Sequence, residues 1–423
     1  MDASSSPVGV RNPRYSLEWC VSTGKTKRSR LQLGTNCNMP EERALAWEST
    51  PVEIWHAIIY WALYDPSAFD IYDPRHVFLD SVTSASRREV AIERVERQRL
   101  NLCLVCKGWK VYAENNLRIR AKWEENCYRP LAGNQSTLLC VELADIMDCD
   151  DPRSFISDSL LSLKIEYSGN PSDPPYPLHQ PFANELLPSL SSICTSLRSL
   201  SICLYGEQCP KLDFIRICAY FPRLVALGLL GNLVSSHHIK PVSMQYLECL
   251  ELQRIDIFID CLPSWQLPRL RHCSINHEFG DFQTAIQIFL PRFGLQLSTF
   301  SINRNSWSPN RIDLEEAMWT YMSNVETLGL PCSGELLPPP QNIHSLPKLR
   351  YILVDKRILP RSEFLAWVFQ NRNNITIETT AEQGGWQWRE WCDLAREFRV
   401  CVVARHGEVY NGNNSQRRMY MNA

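Results

Sequence analysis

Apolar residues recur along this chain in a short frame, filling positions 1, 4 and 6 and leaving polar or small residues between. Leu247, Leu250 and Leu252 show it most plainly, in the run LECLELQ at 247–253. The frame returns at Leu160-Leu163-Ile165, Leu197-Leu200-Ile202, Leu224-Leu227-Leu229, Leu270-Cys273-Ile275, Leu297-Phe300-Ile302, Val325-Leu328-Leu330 and Leu349-Ile352-Val354. Weaker copies are Leu138-Val141-Leu143 before these, and Ile375-Ile377 and Val400-Val402 after them. Position 1 then falls at 138, 160, 197, 224, 247, 270, 297, 325, 349, 372 and 397, one step of 37 residues among steps of 22 to 28. Alternation at positions 4 and 6 predicts a short strand with those side chains turned into a core, because successive strand residues face opposite ways. Amphipathic stretches predict helices over 183–193, 212–221, 281–293, 314–322 and 362–370, and a last one in GWQWREWCDLAREF. A Pro-x-Leu turn often reopens the strand, as in FPRL, LPRL and LPKL.

A spacing of 22 to 28 residues is the period of a leucine-rich repeat. Helix, proline turn and short strand make a unit that stacks with strands on the inside of a curve and helices outside. The repeats are expected over 126–404. The long step holds Pro171, Pro174, Pro175, Pro177 and Pro181, which exclude a regular helix. That stretch, 170–181, is a loop leaving the array, read either as a disordered insert or as a lobe contacting a substrate. Trp386, Trp388 and Trp391 in the last helix serve as the end cap that a terminal repeat requires, or as an aromatic patch for a partner. Residues 1–45 and 405–423 show no period and are expected to be disordered. The basic run GKTKRSR at 24–30 is a solvated tail or a nuclear-import signal. Its GKT is not a phosphate loop, because Trp19 occupies the place of the first glycine.

The first ordered segment is expected at 46–62. Ser49 or Thr50 can cap a helix, Pro51 suits its first turn, and Glu53 sits near its positive end. Ile54, Trp55, Ile58, Ile59 and Ala62 then form one apolar stripe. Asp65-Pro66 and Asp73-Pro74 mark turns, and a charged helical pattern resumes near Ser86 and runs on until Gly108 interrupts it. TPVEIWHAII followed by LCLVCKGWKVYA resembles the F-box, the helical module that docks substrate receptors onto the Skp adaptor of cullin-based ubiquitin ligases. Pro51, Glu53, Ile54 and Ile58 match its first half; Leu102, Val105, Cys106, Lys107, Trp109 and Ala113 match its second. Thr50 departs from the usual apolar residue, and an insertion at 63–99 replaces a short connection, as in F-box-like proteins of mushroom-forming fungi, which the chain resembles throughout. The resemblance implies a 46–125 adaptor-binding domain in which Pro51, Ile54, Trp55, Ile58, Ile59, Leu102, Val105 and Trp109 meet the adaptor. The expected fold class is α/β: an F-box-like helical module followed by a leucine-rich-repeat solenoid, a horseshoe with parallel strands inside and helices outside.

Composition narrows the function. A net charge of −2 gives no field that would draw the chain to nucleic acid or an anionic membrane. No apolar run of the roughly 18 residues needed for a membrane helix occurs, and the N-terminus lacks the apolar core of a signal peptide. The 17 cysteines are odd in number and scattered, as in a reduced cytoplasmic or nuclear protein.

Chemistry is sought and not found. Cys103 and Cys106 form one C-x-x-C without the further ligands that structural zinc needs. His237 and His238 are adjacent, Asp148, Asp150 and Asp151 read as a solvated turn, and Glu315 and Glu316 open a helix. No nucleophile elbow or zinc-protease motif is present, so neither enzymatic activity nor a cofactor is expected. The candidate surface is the inner face, formed by frame positions 3, 5 and 7. It is small, neutral and polar, and Glu251, His272, Asn276, Asn303, Tyr351 and Asp355 are its candidate substrate contacts. What the resemblance implies is a non-catalytic substrate receptor, held by a Skp-family adaptor to a cullin and binding a target protein for ubiquitin-dependent degradation. The alternative is a repeat scaffold with no ubiquitin-ligase role.

Overall fold

In this computed structural model the described residues are 51–58 and 94–110 in part, the backbone of 120–122 and 138–142, residue 156, and 160–168, 186–205, 211–234, 241–277, 281–304, 316–330, 337–354, 362–379, 385–404 and 409–411. The expectations for 1–45, for most of the 63–99 insertion and for the 170–181 loop lie outside them. Two units divide at residue 55, Met1–Trp55 and His56–Ala423, and the whole sheet belongs to the second.

That unit is α/β. Thirteen strands form one sheet: β1 (Arg120–Lys122), β2 (Leu138–Glu142), β3 (Ser162–Ser168), β4 (Ser199–Tyr205), β6 (Ala226–Gly231), β8 (Cys249–Gln253), β9 (His272–His277), β10 (Thr299–Arg304), β11 (Thr327–Gly329), β12 (Tyr351–Val354), β13 (Thr376–Thr379), β14 (Cys401–Val403) and β15 (Val409–Asn411). They lie in chain order, every pair from β1 to β14 is parallel, and only β14 with β15 is antiparallel. A two-stranded ribbon, β5 (Leu212–Asp213) with β7 (Leu233–Val234), stands apart. Parallel neighbours require a crossover. The crossovers carry α1 (Leu187–Ile193), α2 (Phe214–Tyr220), α3 (Phe282–Phe293), α4 (Glu316–Tyr321), α5 (Glu363–Asn371) and α6 (Trp386–Phe398).

Helices α2, α3 and α5 start where a side chain satisfies free backbone N–H groups. Asp213 accepts from the backbone N–H of Ile215 and Arg216 at 3.1 and 3.2 Å, Asp281 from Thr284 at 3.1 Å, and Ser362 from Leu365 at 3.2 Å. Between β8 and β9 there is no α-helix, only the 3₁₀ turns Ile255–Phe258 and Leu262–Ser264. Phe258 and Trp265 of that crossover pack with Phe214 of α2 in an aromatic cluster, ring centroids 4.7 to 5.4 Å apart.

Frame positions 4 and 6 face the helices. Leu163, Ile165, Leu200, Ile202, Leu227, Leu229, Leu250 and Leu252 belong to one core with Leu190, Phe214, Ile286 and Phe289, and none is more than 1 % exposed. Each buried leucine there contributes about 1.5–3 kcal/mol, so the repeated frame is the main source of cohesion.

The three weak frames sit two residues from where the sequence put them. Leu138 pairs with Ser162 and Leu139 with Leu163, so the first frame opens at 136. Ile377 pairs with Ile352, and Val402 with Ile377, so the last two open at 374 and 399. A slip of two preserves the alternation of faces, and apolar periodicity cannot detect it. At the C-terminal end the cause is visible: position 1 holds Asn374 and Arg399 in the left-handed region, with φ of 60° and 55°. The apolar residue moves one place on, to Ile375 and Val400, both buried.

The sheet also outruns its expected limits. β1 precedes residue 126, within the stretch assigned to the helical domain, and β15 lies inside the expected tail. Tyr410 of β15 packs on the core, and its hydroxyl oxygen accepts from Arg396 Nη2 at 3.2 Å, which ties that strand to α6.

Candidate functional site

Two surfaces bear on function. The first is the face of the sheet opposite the helices, made by frame positions 3, 5 and 7. Strand register places Lys164, Ser201, Gly228, Glu251, Ser274, Ser301, Gly329, Leu353 and Glu378 in one row at position 5. This row was expected to line open surface, yet across its middle it is buried: Glu251 is 4 % exposed, Ser274 0 % and Ser301 3 %. Strands in register stand about 4.8 Å apart, so a small side chain is overhung by its neighbours. Ser274 lies between His272 and Asn276 on its own strand and between Glu251 and Ser301 on the flanking ones.

The polar groups on this face are engaged with one another. Asn276 Nδ2 donates to Glu251 Oε1 at 3.2 Å, and Gln253 Oε1 accepts from the backbone N–H of Gly231. Gly231 has φ of 136°, a conformation that side chains disfavour. Lys164 and Glu166 form an ion pair at 2.7 Å on β3. Ser298 Oγ lies 3.4 Å from His272 Nδ1. Burial, with a smaller contribution from the Glu251 charge, pushes the Cys203 thiol up to about 12, although a hydrogen bond from Ser201 opposes it. Such a thiol stays protonated at neutral pH and is a poor nucleophile or metal ligand. Among the described residues no cluster of His, Cys, Asp and Glu could hold a metal ion.

Of the expected substrate contacts, Glu251 is therefore a buried, hydrogen-bonded residue and not an open anchor. Asn276, His272 and Tyr351 are half-buried on the same face. The side chains of Asn303 and Asp355 lie outside the described residues.

The second surface is carried by two short helical segments, each taken by itself. The Pro51 carbonyl accepts from the N–H of Ile54 at 3.0 Å and of Trp55 at 3.3 Å, and 53–55 and 57–58 are helical. Ile54 is 50 % exposed and Ile58 48 %, while Pro51 is exposed and Trp55 half-buried. In the other segment residues 94–95 and 97–103 are helical, and turns follow in which Leu104 and Val105 donate to the carbonyls of Asn101 and Leu102. Val95 is buried, Leu102 and Trp109 are half-buried, and Leu104 and Val105 project at 84 % and 57 %. Ile59 lies outside the described residues. Sequence reasoning did not single out Leu100 and Leu104 as contacts, although the apolar periodicity of the second segment contains both.

No family model matches the chain, and no curated protein matches it. Among solved structures, a Bacteroides fragilis protein from a structural-genomics programme is similar at 13 % identity with a TM-score of 0.34, covering 69 % of this chain and 83 % of that one. That likeness is too distant to carry function. Among the described residues no helix is long and apolar enough to cross a membrane.

Proposed function

We propose that the chain is a non-catalytic receptor: an F-box-like helical segment that binds a Skp-family adaptor, joined to a leucine-rich-repeat solenoid that holds a target protein for a cullin-type ubiquitin ligase. The observation that carries this reading is where apolar surface is left open. Of the nine large hydrophobic side chains exposed among the described residues, five are Ile54, Ile58, Leu100, Leu104 and Val105. Four of them lie on the two segments whose sequence resembles the F-box, and Leu100 stands two residues before the second, where a free chain gains nothing from exposing them. Strands that add in chain order at the period of the repeat support the second half of the reading. The mechanism is proximity: a held target presents its lysines to a ubiquitin carrier at raised effective concentration.

Co-purification with a Skp-family adaptor tests it. Ile58→Glu or Val105→Glu places a charge in an apolar contact and should abolish capture, while circular dichroism of the sheet stays unchanged. If the wild-type chain captures no adaptor, the reading as a repeat scaffold without a ligase role replaces this one.

A further inference from the structure

The edge of the sheet where strands β8 to β12 begin carries a groove that none of the surfaces above includes. Two adjoining hollows of about 580 and 430 Å³ share Pro268 and Gln296 in their walls. We propose that this groove docks a short protein segment that sets one aliphatic side chain among a few acidic ones.

The carbonyls that open the strands along this edge are already taken. The Glu248 carbonyl accepts from the N–H of Arg271 and of His272, both at 2.9 Å. The carbonyls of Arg271, Ser298 and Glu326 each accept two N–H groups from the next strand in the same way, at 2.8 to 3.1 Å. Recognition therefore falls to side chains and cannot proceed by adding a strand.

Those side chains combine apolar and charged character. Leu295, 53 % exposed, opens into the larger hollow beside Pro268, and the exposed Tyr246 lies under the Arg269 guanidinium at 5.5 Å. Arg269, Arg271 and Lys348 face the same hollow with Glu248 and Glu326. Among the described residues Glu248, Arg271 and Glu326 form no ion pair, so these charges stand ready for a partner. Three cations against two carboxylates favour an acidic segment, and an exposed leucine between them calls for an aliphatic anchor. The two carboxylates repel a continuous run of negative charge, which disfavours nucleic acid and restricts the partner to a few acidic groups.

The proposal stands whether or not the chain binds an adaptor. An array of hexapeptides tests it, each holding one leucine flanked by aspartates and glutamates, beside matched series with serine for the leucine or lysine for the acids. The full chain should retain the acidic leucine series, and fluorescence anisotropy of the best peptide should weaken with added salt. Leu295→Asp and Lys348→Glu should each lower its affinity about tenfold, and Ile58→Glu should leave it unchanged. Both positions are exposed, so unchanged circular dichroism should accompany the loss, and Lys348→Gln should give a smaller one. Equal retention of the lysine or serine series, indifference to both substitutions, stronger binding of a single-stranded RNA oligomer, or no retention of any peptide overturns the proposal.

Discussion

Gly329 stands in register with Ser301 on the neighbouring strand, and a β-carbon added there would lie 2.6 Å from Ser301 Cβ and closer still to its hydroxyl oxygen. No rotation of the serine removes a contact to its own Cβ, so the strands themselves would have to shift. Gly329→Ala should destabilise the chain by about 1–3 kcal/mol, the usual range for overpacking. Urea unfolding should show Ser301→Gly partly rescuing it, with the double variant costing less than the two single changes added. An unchanged midpoint for Gly329→Ala would mean that the row is looser than its geometry. The same crowding explains what the sequence conveyed about this face and what it hid. Alternation along LECLELQ put Glu251 and Gln253 on the polar side, which is correct. Their burial comes from Gly228, Gly231, Ser274 and Asn276, residues 22 to 25 places away in sequence. No local pattern contains that distance.

At the scale of the element, the strong frames were legible because each pairs a strand with a leucine or, at Val325, a valine at position 1, and register confirms every one from 160 to 349. The two weak frames at the C-terminal end were misplaced because their position 1, Asn374 and Arg399, is a turn residue. Helix α6 shows the physical cause. Its C-cap, Arg399, takes φ of 55° and ψ of 37°, a conformation that costs a non-glycine residue about 1–2 kcal/mol and that glycine adopts freely. Arg399→Gly should therefore raise stability, by about 0.5–1 kcal/mol after the greater freedom of glycine in the unfolded chain is counted. Thermal unfolding reads this directly, and a lowered midpoint would show that the Arg399 side chain contributes more than the backbone strain removes. The start edge of the strands escaped sequence reasoning for a different reason. Glu248, Arg271, Glu326 and Lys348 fall at frame position 2 or just before position 1, places the repeat leaves unconstrained. Only the register of strands gathers them into one groove.

Across the main sheet, each strand from β2 to β14 is hydrogen-bonded to the sheet strand before it and the sheet strand after it in sequence, so stability passes from neighbour to neighbour. Damage should then depend on where along the sheet it falls. Leu250 on β8 and Val402 on β14 are both 0 % exposed and both occupy frame position 4. An aspartate at either buries a charge in the core and should cost about 3–5 kcal/mol locally. Val402 lies near the end of the sheet, where β13 and everything before it keep their own neighbours. Leu250→Asp instead interrupts the middle, removing support from β6 on one side and from β9 on the other, along with the aromatic cluster of the adjoining crossover. Native-state hydrogen exchange should separate the two. Val402→Asp should lose protection over α6, β14 and β15 while β3 to β10 keep theirs, and Leu250→Asp should lose it on both sides of β8. Equal loss of protection everywhere in both variants would show a single cooperative core, in which a strand's place in the row has no bearing on what its loss unfolds.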